Sequence, residues 1–178
     1  MRQLTPGIFL CIVFLLACNS GPKEAIADTD AEKTMVQFFS DSLQADTFKV
    51  KLQGSNPKQM RLEFSILSHK GKKIYDIKIN AKDLFENYDA TIDLGKKRNQ
   101  IKFLKEEMGR FFDEENFMEP AITEQETPDQ YVPDKGFYND LKASGLNGFI
   151  YRLGKENKVY IAWSEKDQRV KPYYTCCK

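Results

Sequence analysis

Between Met60 and Ile66 every second residue is apolar: Met60, Leu62, Phe64 and Ile66 alternate with Arg61, Glu63 and Ser65. Successive strand side chains point to opposite faces, so a period of two gives one face that must cover a core and one that must meet water. The same pattern recurs on either side. Phe48, Val50 and Leu52 alternate with Lys49 and Lys51, and Tyr75, Ile77 and Ile79 alternate with Asp76 and Lys78. Gly54-Ser55-Asn56-Pro57 and Lys70-Gly71 fall at the breaks, where turn residues belong. These segments predict a three-stranded antiparallel meander with one wet face.

The C-terminal end repeats the arrangement. Phe149, Tyr151 and Leu153 alternate, Gly154-Lys155-Glu156-Asn157 turns the chain, Val159, Ile161 and Trp163 alternate again, and Glu165-Lys166-Asp167-Gln168 leads to a last strand ending near Tyr174. Helical spacing governs the remaining segments. Met35, Phe38, Phe39 and Leu43 predict an amphipathic helix from Ala31 to about Leu43, with Asp28 or Asp30 as its cap. Asn80 caps a short helix from Ala81 to about Tyr88, and Ile101, Leu104, Met108 and Phe111 mark a longer one from about Lys97 to Phe112. Pro120, Pro128 and Pro133, with Glu119, Glu124, Glu126, Asp129 and Asp134, make residues 113–135 an extended acidic excursion. A helix from Phe137 to Ala143 ends at Gly145. The expected fold is α+β: antiparallel sheet built from an N-terminal and a C-terminal three-stranded meander, with helices packed on one face, in a single domain over residues 31–178.

The chain begins Met1-Arg2-Gln3 and then runs apolar from Gly7 to Ala17, ending Leu15-Leu16-Ala17-Cys18. That run is too short to span a hydrocarbon core, which takes about 20 residues, and it has the three-part layout of an export signal. Leu-Leu-Ala-Cys resembles the lipobox of bacterial lipoprotein signal peptides. The resemblance covers residues 1–18 and implies that residues 1–17 are removed and Cys18 becomes a lipid-carrying first residue. Asn19 follows, not the Asp that in enterobacterial lipoproteins favours the inner membrane, so the resemblance points to the outer membrane, facing the periplasm. Residues 18–30, with Gly, Pro, Ser and Asp, read as a polar tether.

Removing residues 1–17 takes away only Arg2 of the 27 basic residues, leaving 26 against 26 acidic ones. Such a balance lacks the basic footprint of a nucleic-acid binder. Of the four cysteines, Cys11 departs with the signal and Cys18 takes the lipid, which leaves Cys176-Cys177. Adjacent cysteines cannot staple distant segments, and a bond between them closes a small strained ring. They are a candidate redox pair, or free thiols near a chain end, or a link to another chain.

Catalytic signals are sparse. His69, the only histidine, sits in a hairpin turn, where a solvated loop residue is expected. No zinc-type Cys/His spacing, nucleophile elbow, glycine-rich phosphate loop or dinucleotide fingerprint occurs, so neither a cofactor nor a catalytic residue is assigned. Paired carboxylates need no histidine, but Glu106, Glu107, Asp113, Glu114 and Glu115 fall on or just after a helix that requires a charged outer face. The aromatic tail is the better candidate. Tyr160, Tyr173 and Tyr174 offer an outward surface for an envelope protein, peptide or glycan, unless a helix covers that face. The expected function is a non-enzymatic binding domain tethered to a membrane through Cys18. The alternatives are a periplasmic inhibitor or immunity-type lipoprotein and a carboxylate-based hydrolase of envelope polymers.

Overall fold

A computed structural model describes residues 31–86, 88 and 92–176. The signal segment, the tether with Cys18, and Cys177 lie outside the described residues.

Strands β1 (Ala31–Phe38), β2 (Ala45–Gln53), β3 (Arg61–Leu67) and β4 (Lys73–Asn80) form one antiparallel sheet in the order β1-β2-β3-β4. Strict alternation dictates its faces. Phe48, Val50, Leu52, Leu62, Phe64 and Ile66 are buried, while Lys49, Lys51, Arg61, Glu63 and Ser65 face outward. Register turns the outer face into a ladder of alternating charge, Glu32 opposite Lys51, Lys51 opposite Glu63, and Glu63 opposite Lys78. Opposite charges across strands add modest support and favour this register over a one-residue slip, which would put the lysines in the core.

The first segment is a strand, and the helix expected over residues 31–43 is absent. Every residue from Ala31 to Phe38 pairs with one of β2, from Ala31 with Leu52 to Phe38 with Ala45. Of the apolar set that suggested a helix, only Phe39 is buried; Met35 is 36 %, Phe38 47 % and Leu43 85 % exposed. The backbone of β2 has hydrogen-bonding groups on both sides, and supplying a partner for them outweighs a weak local helical pattern.

Helix α1 (Ala81–Phe85) follows β4 directly, and α2 (Lys97–Arg110) lies after it. The acidic excursion contains a two-residue strand, β5 (Phe117–Met118), and a cis Glu119–Pro120 bond. Helix α3 (Lys135–Ser144) begins on Asp134, which accepts the Phe137 amide at 3.0 Å, and ends on Gly145 at φ 64°, where a residue without Cβ is favoured. Strands β6 (Gly148–Arg152), β7 (Lys158–Ser164) and β8 (Arg169–Cys176) complete a second antiparallel sheet, β5-β6-β7-β8. Each sheet therefore has four strands, not three. The two additions are edge strands, one disguised as a helix and one too short to show a period.

The main core lies between the sheets. Phe149 from β6 meets Phe48 and Phe64 of the first sheet at ring-centroid distances of 5.3 and 5.2 Å, and Phe117 at 5.0 Å. Phe103 and Leu104 of α2 and the pair Phe111-Phe112 join the same cluster. The Tyr75 and Tyr151 hydroxyls, 2.8 Å apart, tie β4 to β6. A smaller core covers the opposite face of the second sheet, where Phe137, Tyr138 and Leu141 of α3 meet Ala162 and Tyr173. The helices thus do not share one face: α2 belongs to the core between the sheets and α3 to the far side of the second.

Helix α2 departs from expectation at Glu107. It is buried, accepting from Arg110 at 2.7 Å and from Arg152 of β6 at 3.3 Å. The helix face expected to stay charged and wet instead delivers one carboxylate to a cross-element ion pair.

Candidate functional site

The tyrosines of the C-terminal strands are brought to one side of the second sheet by an irregularity. Tyr160 pairs with Tyr174 and Ile161 with Pro172, so Tyr173 is an extra residue in β8. A bulge of this kind re-aims a side chain. Strict alternation would send residues 173 and 174 to opposite faces, yet the Tyr160 ring meets Tyr173 at 6.0 Å and Tyr174 at 5.2 Å, with interplanar angles of 74° and 83°. Tyr160 thus stands near-perpendicular to both of the other phenols.

The face expected to be open is partly covered. Tyr173 is only 3 % exposed, and its hydroxyl donates to the Ala121 carbonyl at 3.0 Å. It is a brace rather than an outward contact. Gly148 makes room for it, because a Cβ there would stand 2.9 Å from the phenol oxygen. Tyr160 and Tyr174 are half-buried. Helix α3 and the acidic loop supply the cover, and a cavity of about 270 Å³ remains beneath them, lined by Tyr138, Tyr160, Tyr173, Tyr174, Glu126 and Asp129 among others.

The loop is held in place by its own polar groups. Ala121 donates its amide to the Leu146 carbonyl at 2.8 Å, and Thr175 of β8 donates to the Tyr131 carbonyl at 3.2 Å. Glu126 Oε2 accepts the amide and hydroxyl of Thr123, at 2.6 and 2.8 Å. Asp129 accepts the Tyr131 amide at 2.8 Å and the Tyr174 hydroxyl at 3.0 Å. Lys142 of α3 donates to the carbonyl oxygens of Glu124 and Glu126 at 2.6 and 2.7 Å. These bonds fix both carboxylates before anything binds, which reduces the ordering cost of binding.

The phenols report the local field. Burial first, then the nearby Glu126 charge, pushes Tyr160 above the ordinary phenol value. Burial and then Tyr160 push Tyr173 well above it. Burial, then the hydrogen bond to Asp129, pushes Tyr174 up to about 12. All three are therefore neutral hydrogen-bonding groups at neutral pH.

The other candidates come out differently. His69 sits in the β3–β4 turn as expected, but its side chain is only 15 % exposed and lies 3.6 Å from Asp46. Asp46 is fully buried and accepts the amides of Ser40 and His69 at 2.6 and 2.8 Å, bracing two turns. Cys176, the last residue of β8, is disulfide-bonded. Among the described residues no cluster of three or more His, Cys, Asp or Glu could hold a metal ion, and no helix is long and apolar enough to cross a membrane. A wider depression of about 420 Å³ lies between Met35 and Gln37 of β1 and Phe117 and Glu119 around β5, without a matching set of aromatic walls.

The tyrosines and the acidic loop were both visible in the sequence, but their meeting was not. Tyr138 was overlooked; its signal is the apolar stripe it forms with Leu141, three residues on. Comparison with protein families, curated proteins and solved structures gives no match.

Proposed function

We propose that this chain is a lipid-anchored protein of the bacterial envelope, held at the outer membrane and facing the periplasm, whose folded domain binds another envelope component without catalysing a reaction. The observation that carries the binding reading is the cavity in which Tyr160, Tyr173 and Tyr174 meet the carboxylates of a braced loop. Aromatic walls with few, fixed polar groups are the usual make-up of a recognition site. The anchor reading is supported by Leu15-Leu16-Ala17-Cys18. Each buried methylene contributes roughly 0.8 kcal/mol, so two or three acyl chains hold a domain firmly at a bilayer.

The anchor is tested by growing cells with labelled palmitate. The wild-type chain is expected to incorporate label, and Cys18→Ala to lose it and remain uncut; a labelled Cys18→Ala product overturns the anchor. The site is tested by placing a photo-crosslinking phenylalanine analogue at position 160 in cells. A discrete adduct is expected there and none at the exposed position 58 on the first sheet's turn. Identical patterns at both positions overturn the assignment of the site.

A further inference from the structure

The charge around the cavity is uneven in an informative way. On one side of α3, Asp134 and Asp167 share Lys171, whose ammonium lies 3.1 and 2.6 Å from them. On the cavity side, Glu126 and Asp129 have no cationic partner: among the described residues neither takes part in an ion pair, and Lys142 spends its ammonium on backbone carbonyls instead. Glu126 and Asp129 are solvent-exposed, but two carboxylates held rigidly beside neutral phenols with no counter-ion make a site of negative potential that a bound cation would neutralise.

The aromatic walls point the same way. A cation over a ring face within about 6 Å of its centroid is attracted by the ring quadrupole. Tyr160 stands almost perpendicular to Tyr174 and Tyr173 and is in edge contact with both, so a cation meets the ring surface that this cluster leaves open to the cavity. The polar groups here are chiefly acceptors. Glu126 Oε1 carries no hydrogen bond from the described residues, and the hydroxyls of Tyr138 and Tyr160 have no protein partner among them. A ligand suited to this lining brings several donors, a positive charge and a flat, weakly hydrated body. A quaternary ammonium has no donors, and a lysine ammonium is compact and strongly hydrated. A guanidinium is planar, stacks on aromatic faces and carries five donors in a rigid fork.

We propose that the cavity formed by Tyr138, Tyr160, Tyr173 and Tyr174 with Glu126 and Asp129 receives a guanidinium group, presented by an arginine side chain of the partner protein. This rests on the binding site proposed above and names the chemistry of its ligand. The arginine enters as the loop's missing counter-charge, stacking on the Tyr160 ring and donating to Glu126.

The experiment uses the mature lipoprotein in a maltoside detergent, labelled with ¹³C in its tyrosine rings and followed by NMR. The Tyr160 and Tyr174 resonances are assigned through Tyr160→Phe and Tyr174→Phe. The probes are the amides of N-acetylarginine, N-acetyllysine and N-acetylcitrulline, the last a neutral isostere of arginine. The arginine probe is expected to shift both resonances saturably, the lysine probe several-fold more weakly and the citrulline probe not at all. Glu126→Gln should weaken arginine binding about ten-fold, with Glu165→Gln as an unaffected control. Equal responses to arginine and citrulline, equal responses to arginine and lysine, or full binding by Glu126→Gln each overturn the proposal. If the crosslink at position 160 forms in cells but no probe shifts these resonances, the guanidinium proposal fails and the site stands; if neither appears, both fail.

Discussion

Glu107 shows how one residue can unite elements that are far apart in the chain. Its carboxylate is 7 % exposed, against 55 % for Arg110 and 36 % for Arg152. The two cations keep water contact, so the arrangement avoids most of the cost of burying paired charges. Arg152 also donates to the Tyr88 hydroxyl at 3.4 Å, extending the network to the segment before α2. Hydrogen bonds to charged groups contribute about 1.5–3 kcal/mol each before screening. Because both arginines can turn to solvent, Glu107→Ala is expected to cost about 2 kcal/mol in urea unfolding. Its neighbour Glu106 is exposed, with Lys102 3.7 Å away, and Glu106→Ala should change stability by less than about 0.5 kcal/mol. Equal losses from the two would mean that Glu107 is no more than a surface charge.

Helix α3 is the element on which the cavity depends, and its start is titratable. Asp134 accepts the Phe137 amide, and Lys171 donates to its other oxygen while lying 4.7 Å from the centre of the Phe137 ring. The amide bond first, then the ammonium, hold its carboxyl below the ordinary aspartate value of 3.8. A carboxyl whose folded value is depressed adds stability above its unfolded value and loses it as pH falls through the folded one. Wild-type protein is therefore expected to melt at higher temperature than Asp134→Asn above pH 5, and the gap should close as the pH drops below about 4. Asp167 is lowered too, chiefly by Lys171, so some acid sensitivity remains in the variant; an unchanged gap down to pH 2 would remove Asp134 from this role. The helix itself was legible in the sequence through Phe137 and its stop at Gly145, but its true start was not, because Asp134 reads as one more acidic residue of the loop until its carboxylate is seen to cap Phe137. Strand β1 was not, because Val36 and Phe38 have no short-range feature that marks them as partners of Thr47 and Ala45.

At the scale of the whole molecule, aromatic rings join the layers. Phe149 bridges the sheets, and burial raises Tyr75 and Tyr151 above the ordinary phenol value of 10.0. Tyr173 is raised in the smaller core. Groups with a raised folded value contribute stability that is complete below the unfolded value and lost as pH rises toward the folded one. The molecule should therefore lose stability progressively above pH 10, and the phenolate absorbance of these tyrosines should appear together with unfolding. Full tyrosine ionisation with native circular dichroism retained would contradict this packing. Phe149→Ala removes the ring shared by both sheets and is expected to cost about 3–5 kcal/mol, read from the same unfolding curves.

Alternation determined five of the eight strands and a polar turn placed a sixth, while apolar spacing and the stop at Gly145 determined the longer helices, because these are properties of neighbours in the chain. The expectation of an anchor at Cys18 is local in the same sense. Everything that makes the cavity depends on residues far apart: Tyr173 reaches Ala121 across 52 positions and Tyr174 reaches Asp129 across 45. A bulge in β8, a loop pinned over a sheet and an inward-facing Glu107 arise only when one segment offers an edge or a face to another. Hydrogen-bond satisfaction and close packing of the whole chain, rather than any local pattern, decided those three features.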